Sequence, residues 1–258
     1  MSNEHILTEV IGHVLKITLN NPEKYNSFTP LMMNDLGEAY TRLNSEADLW
    51  VGVLCAEGDN FTAGLDMPKF FGPDAEKREK PEGQVDPFGL TKKCSKPLIV
   101  AVQGICYTIG IEIMLAGDIA VAAEDTRFQQ LESARGIAPL GGAHFRYIQR
   151  AGWGNAMYHL MLCDKFSAQR AKEIGLVQEV VPKGEQIERA MELAQQICGN
   201  APLGIQAMKR AANIYYEQGE QAAIDVIPSL MPELEKTADF AEGIASFRER
   251  RSANFQGR

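Results

Sequence analysis

The sequence predicts an α/β fold, a core of short apolar strands alternating with helices and followed by a helical C-terminal part. Two observations carry this. Apolar strand-like runs that lead through a glycine toward a helix occur twice, at Val51 to Asp66 and at Leu98 to Ala116. From Gly141 onward the apolar residues fall mainly at helical spacings instead, segment after segment. At 258 residues, 45% hydrophobic and 23% charged, the chain is long enough to fill one core. No linker composition interrupts it, and we divide it into an α/β core over 1–195 and a helical region over 196–258.

His5 to Asn20 alternates apolar and polar residues around Gly12, the pattern of a hairpin. Asn20 to Asn26 is a loop by composition. Thr29 is placed to cap a helix with Pro30 at its first position, and Met32, Leu36, Ala39, Tyr40 and Leu43 share one face of it. Trp50 to Cys55 predicts a strand, and Phe61 to Asp66 is a second apolar stretch that contains a glycine and ends in an acid. Met67 to Gln84 has no period and is expected to be a mobile loop near a site. Strands are expected at Pro97 to Val102, Asp118 to Ala123, Arg127 to Glu132 and Leu176 to Val181. Helical faces follow at Phe145 to Met161, Ser167 to Gly175, Ile187 to Ile197, Ile205 to Tyr215 and Phe240 to Phe247.

Within this order, Gly104 to Asp118 stands out because it carries no charge from Gly104 until Glu112. If Ile109 to Ala116 is a helix, it is apolar all round, and such helices are normally buried. Glu112 is then a carboxylate inside the protein, which must find a donor, line a cavity or shift its pKa. The other reading is an amphipathic helix with Glu112 facing water. Glu132 lies 20 residues further on, where a surface role and a catalytic one are both open; two carboxylates in one dry pocket would push each other's pKa apart.

Other chemistries find little support. His5, His13, His144 and His159 lie outside any serine elbow or zinc motif and read as surface or packing residues. The five cysteines, scattered and never in a Cys-x-x-Cys pair, fit a reducing compartment and give no metal site. A Gly-x-Gly-x-x-Gly loop is absent, and Gly141-Gly142 reads as a helix-entry turn. The net charge of -8 speaks against nucleic acid as a partner, and no apolar run approaches a membrane span. A cytoplasmic, soluble protein is expected.

Five passages in order carry a resemblance over nearly the whole chain. These are Leu19 to Asn26, Phe61 to Asp66, Gly104 to Asp118, Phe166 to Val177 and the tail Phe247 to Phe255. Together they resemble the enoyl-coenzyme A (CoA) hydratase/isomerase, or crotonase, family. The resemblance implies a spiral of strand-strand-helix repeats with C-terminal helices that build homotrimers, often paired into homohexamers. It implies that the backbone N–H groups of Leu65 and Ile109 hold the thioester oxygen of an acyl-CoA substrate, and that Glu112 and Glu132 are the catalytic acids of a hydratase. CoA, which enters as part of the substrate and not as a cofactor, is expected along Ala63, Asp66, Met67 and Pro68. Lys24, with Arg250 or Arg251 of this or a neighbouring subunit, is expected near its phosphates. The implied reaction is addition of water across the C2–C3 double bond of a trans-2-enoyl-CoA. Double-bond isomerisation and thioester hydrolysis are the alternatives within the family, and non-catalytic RNA binding is a more distant one. The family's hydratases usually carry a run of glycines where this chain reads Thr108-Ile109-Gly110, so Ile109 and Leu65 are expected to narrow the pocket.

Overall fold

The computed structural model describes residues 4–73, 75 and 81–258. Strands β1 (Ile6–Ile11) and β2 (Val14–Leu19) pair antiparallel, with Gly12 at a φ of 60° in the turn. Helix α1 (Pro30–Ser45) starts as its sequence requires. Thr29 accepts a hydrogen bond from the Met32 N–H at 3.2 Å, and Pro30 holds the first position. Next come β3 (Val51–Ala56) and α2 (Met67–Phe71). A compact unit follows, made of β4 (Leu98–Val102), β5 (Ile105–Tyr107) and α3 (Ile109–Ala116). The next turn of chain runs through β6 (Ile119–Ala123), β7 (Arg127–Gln129) and α4 (Ala143–Leu162). After β8 (Phe166–Ser167), α5 (Ala168–Glu173) and β9 (Glu179–Val181), the chain ends in α6 (Gln186–Cys198), α7 (Pro202–Gln218), α8 (Glu220–Leu234) and α9 (Ala238–Glu249).

Among the described residues one sheet has the order β1-β2-β3-β4-β6-β9, parallel from β2 onward, and a second has the order β5-β7-β8. The first strand of each repeat therefore joins one sheet and the second strand joins the other, which winds the chain into a spiral. Alternation along the large sheet divides the core in two. Leu54, Val100, Val102, Ala120 and Ala122 face the main core with α1 and α3. Val53, Cys55, Ile99, Ala101 and Val121 face the other way, against Ala190 and Ala194 of α6. Burial on both faces explains why these strands read as continuous apolar runs. Helix α3 is buried along almost its whole length, Glu112 included, so the first of the two readings of Glu112 holds.

Several expectations change. The expected loop from Met67 to Gln84 lies partly outside the described residues. Within them Met67–Phe71 is helical, with Pro68 at a position that suits a helix start. β7 stops at Gln129, and Glu132 stands instead at the entry of the 3-10 turn Ser133–Arg135. The strand expected from Leu176 is confined to Glu179–Val181, because the Leu176 N–H turns back to the Ala171 carbonyl to close α5. Helix α8 is an addition to the expected helical faces, and it carries Pro228 and Pro232 in its interior. The boundary expected at 195/196 falls inside α6, whose Ile197 and Cys198 also pack on the large sheet. No helix among the described residues is long and apolar enough to cross a membrane.

Candidate active site

The site is built where three passes of the chain meet. Asn26, buried at a φ of 51°, donates from its side-chain amide to the carbonyls of Glu57 and Asn60 at 3.0 and 2.8 Å. Its own carbonyl accepts from the Thr62 hydroxyl at 2.7 Å. The Phe28 N–H donates to Gly64 and the Asp66 N–H donates to Phe28, while Thr62 exchanges backbone bonds with Ile105 and Tyr107 of β5. Residues 61–66 are thus held between the 25–28 loop and β5. Gly104, at a φ of 51°, has the Asp59 carbonyl only 2.0 Å from where a Cβ would sit, so this crossing admits no side chain.

The Leu65 and Ile109 N–H groups lie at the other end of this pairing, where Thr108 Oγ1 approaches Gly64, and neither N–H finds an acceptor among the described residues. The Ile109 N–H is one of the donors that the start of any helix leaves over. Ile109 packs its side chain into the main core, so the larger departure from a glycine run lies one residue earlier. Thr108 has φ 48° and ψ −113°, a region that glycine enters freely and a residue with a Cβ does not. Such a conformation costs on the order of 1–3 kcal/mol.

Glu112 is 3% exposed, and its Oε1 accepts from the N–H groups of Gly141 and Ala143 at 2.8 and 3.1 Å. Burial pushes its pKa up to about 7. The Ala143 bond opposes the rise, Glu132 adds to it, and the Gly141 bond and the Arg146 charge offset part of it. Glu132 is 7% exposed and is also raised, chiefly by burial and against the backbone and Gln130 bonds that favour its charged form. Its Oε1 accepts from the Gln130 amide at 2.8 Å, while its Oε2 is buried with no hydrogen-bond partner among the described residues. The fold thus brings the two acids within electrostatic reach of each other.

Two supports were not legible as such in the sequence. The Gly141-Gly142 turn does lead into a helix, but it also presents amide N–H groups to Glu112, as helix N-termini do to anions. Buried Arg146 fixes that turn by donating to the Gly141 carbonyl at 2.8 Å and to the Phe88 carbonyl. The preference of a helix start for carboxylates was the available signal for the first. Arg146 read as one more helix residue.

Lys24 closes the 3-10 turn Pro22–Lys24 and is exposed. It lies one residue before Tyr25, whose carbonyl accepts from the Ala63 N–H at 3.0 Å. Lys24 and the stretch through Ala63, Asp66, Met67 and Pro68 thus lie on adjoining segments. Arg251 is engaged by Glu242 and Glu249, and Arg250 caps α9. The histidines behave as packing residues: His13 stacks on Trp50, and buried His159 pairs with Asp164 at 2.8 Å. A cleft of about 990 Å³ opens at the far end of α3, beside Asp118, Arg150 and Lys209, and neither acid lines it.

The sequence profile of the enoyl-CoA hydratase/isomerase family matches residues 9–258. The chain belongs to that family. Its relatives within the family include the enoyl-CoA hydratase EchA19 of Mycobacterium tuberculosis, 31% identical over 100% of this chain and 98% of the relative. They also include the 1,2-epoxyphenylacetyl-CoA isomerase of Escherichia coli, 27% identical over 99% of each chain. The crystal structure of a probable enoyl-CoA hydratase/isomerase from Mycobacterium abscessus superposes with a TM-score of 0.95, at 41% identity and covering 99% of each chain. The spiral described above is the family's crotonase fold.

Proposed function

We propose that the protein is an enoyl-CoA hydratase. The observation that carries this is the pair of buried carboxylates with raised pKa, one gripped by a helix-entry turn and the other with an oxygen that has no partner among the described residues. The thioester carbonyl of a trans-2-enoyl-CoA accepts from the Leu65 and Ile109 N–H groups. Ionised Glu112 takes a proton from water as the hydroxyl adds to C3, and the double-bond electrons move onto the thioester oxygen. The enolate that results is stabilised by donors already in place, each worth on the order of 10²–10³ in rate. Glu132, which enters the cycle in its acid form in this reading, gives its proton to C2 as the carbonyl reforms. One water has then been added, and a proton passes from Glu112 to Glu132 before the next cycle.

In this reading CoA lies along Ala63, Asp66, Met67 and Pro68 with its phosphates near Lys24, and no separate cofactor is needed. Exposed apolar residues on α7 to α9, from the helical region beyond residue 195, join three copies into a trimer or six into a hexamer, working in the cytoplasm. Isomerisation is the second reading, because one relative carries an isomerase name.

The test is the ultraviolet absorbance of crotonyl-CoA mixed with the native protein and with Glu112→Gln and Glu132→Gln. We expect rapid loss of the conjugated band with the native protein and at least about a 10²-fold slower loss with either variant. Absence of hydration, with migration of the double bond in a 3-enoyl-CoA that survives Glu112→Gln, would replace this reading with the isomerase.

A further inference from the structure

We propose that Thr108 is a third donor of the oxyanion site, its hydroxyl donating to the thioester oxygen beside the Leu65 and Ile109 N–H groups. The inference rests on the oxyanion reading above and assigns a catalytic residue that the sequence did not single out.

Three observations support it. A threonine that precedes a helix ordinarily turns its hydroxyl onto the N–H groups of the first turn. Thr108 makes no such bond, and its hydroxyl has no hydrogen-bond partner among the described residues. Its backbone, at φ 48° and ψ −113°, turns the side chain the other way. There Oγ1 stands 2.5 Å from the point a Cβ on Gly64 would occupy, and Gly64, at a φ of 117°, leaves that point empty. Gly64 carries the peptide bond whose N–H belongs to Leu65, and Thr108 carries the one whose N–H belongs to Ile109. The hydroxyl therefore bridges the two segments that supply the two donors.

The chemistry fits this position. Charge develops on the thioester oxygen as the enolate forms, and the oxygen accepts more than two hydrogen bonds. A hydroxyl rotates freely and donates where needed. Glycine would relieve the backbone and leave both N–H groups in place, so the strained threonine is explained by what its side chain does.

Thr108→Gly, Thr108→Val and Thr108→Ser test this through three readouts: kcat and KM with crotonyl-CoA, the thermal midpoint, and the red shift of cinnamoyl-CoA on binding. That shift measures how strongly donors polarise the conjugated carbonyl. We expect Thr108→Gly to raise the midpoint while lowering kcat at least about tenfold with little change in KM, and to shrink the shift. Thr108→Val loses the same activity, and Thr108→Ser recovers most of it. Native kcat and native red shift in the glycine variant overturn the proposal. A native protein that binds cinnamoyl-CoA without a shift overturns the oxyanion reading, and Thr108 with it. If the native protein shifts the band but does not hydrate crotonyl-CoA, only the hydratase reading falls, and the variants' shifts still decide Thr108.

Discussion

Glu112 links stability and activity in one side chain. Its carboxyl holds a proton up to about pH 7 in the folded protein, against 4.5 for an ordinary glutamate, so the folded state binds more protons than the unfolded state between those values. Stability therefore falls as pH rises through this window and stays lower above it. Glu112→Gln removes the titration, and its amide oxygen can still accept from Gly141 and Ala143. We expect the variant to match the native unfolding free energy near pH 4.5 and to exceed it at pH 8 by on the order of 1–3 kcal/mol, while hydration is lost. Unfolding in urea at the two pH values measures this. Native activity should rise with pH through about 7, as the base ionises. The carboxylate was legible in the sequence because a helix with apolar residues on every side leaves its one acid no polar face to sit on. Thr108 was not, because nothing in a string of letters shows a backbone angle.

Among the elements, the turn at Gly141 decides how Glu112 is aimed. A Cβ on Gly141 would stand 2.5 Å from the Phe88 ring and 2.7 Å from Glu112 Oε2, so Gly141→Ala must push the carboxylate aside. We expect about a 10²-fold loss of kcat with the fold retained, checked by steady-state kinetics beside circular dichroism. Helices announced by a cap, such as α1 and α5 with Thr29 and Ser167, were legible at their first residues. The buried strands were legible as apolar runs. Helix α8 was hidden by its two prolines, and its packing against α7 outweighs them. Glu132 was placed on a strand because Phe128-Gln-Gln-Leu reads as one. The chain turns there instead, with the Arg135 and Ile137 N–H groups donating to the Glu132 carbonyl, and the acid is buried.

At the scale of the whole molecule, large apolar side chains remain uncovered on the C-terminal helices. Tyr215, Ile224, Ile227 and Met231 are about half exposed, and Phe247 is 85% exposed. A single protomer leaves this surface in water, as an assembling subunit would. We expect Ile227→Glu with Met231→Glu to lower the mass seen in sedimentation velocity toward that of one 28.5 kDa chain, without disturbing the acids. The apolar faces of α7 and α9 were legible as helical spacings at Ile205 to Tyr215 and Phe240 to Phe247, whereas how much of them stays uncovered shows only in the structure. The groups of the site come from successive coils: Leu65 after β3, Ile109 and Glu112 after β5, Glu132 after β7, and the Gly141 turn at the start of α4. The set is spread over residues 65–141, and its members meet only once these coils have stacked on one another. Turnover is thus a reporter of the completed spiral: when the denatured chain is returned to native buffer, helical dichroism should recover first and catalysis only with the slowest phase.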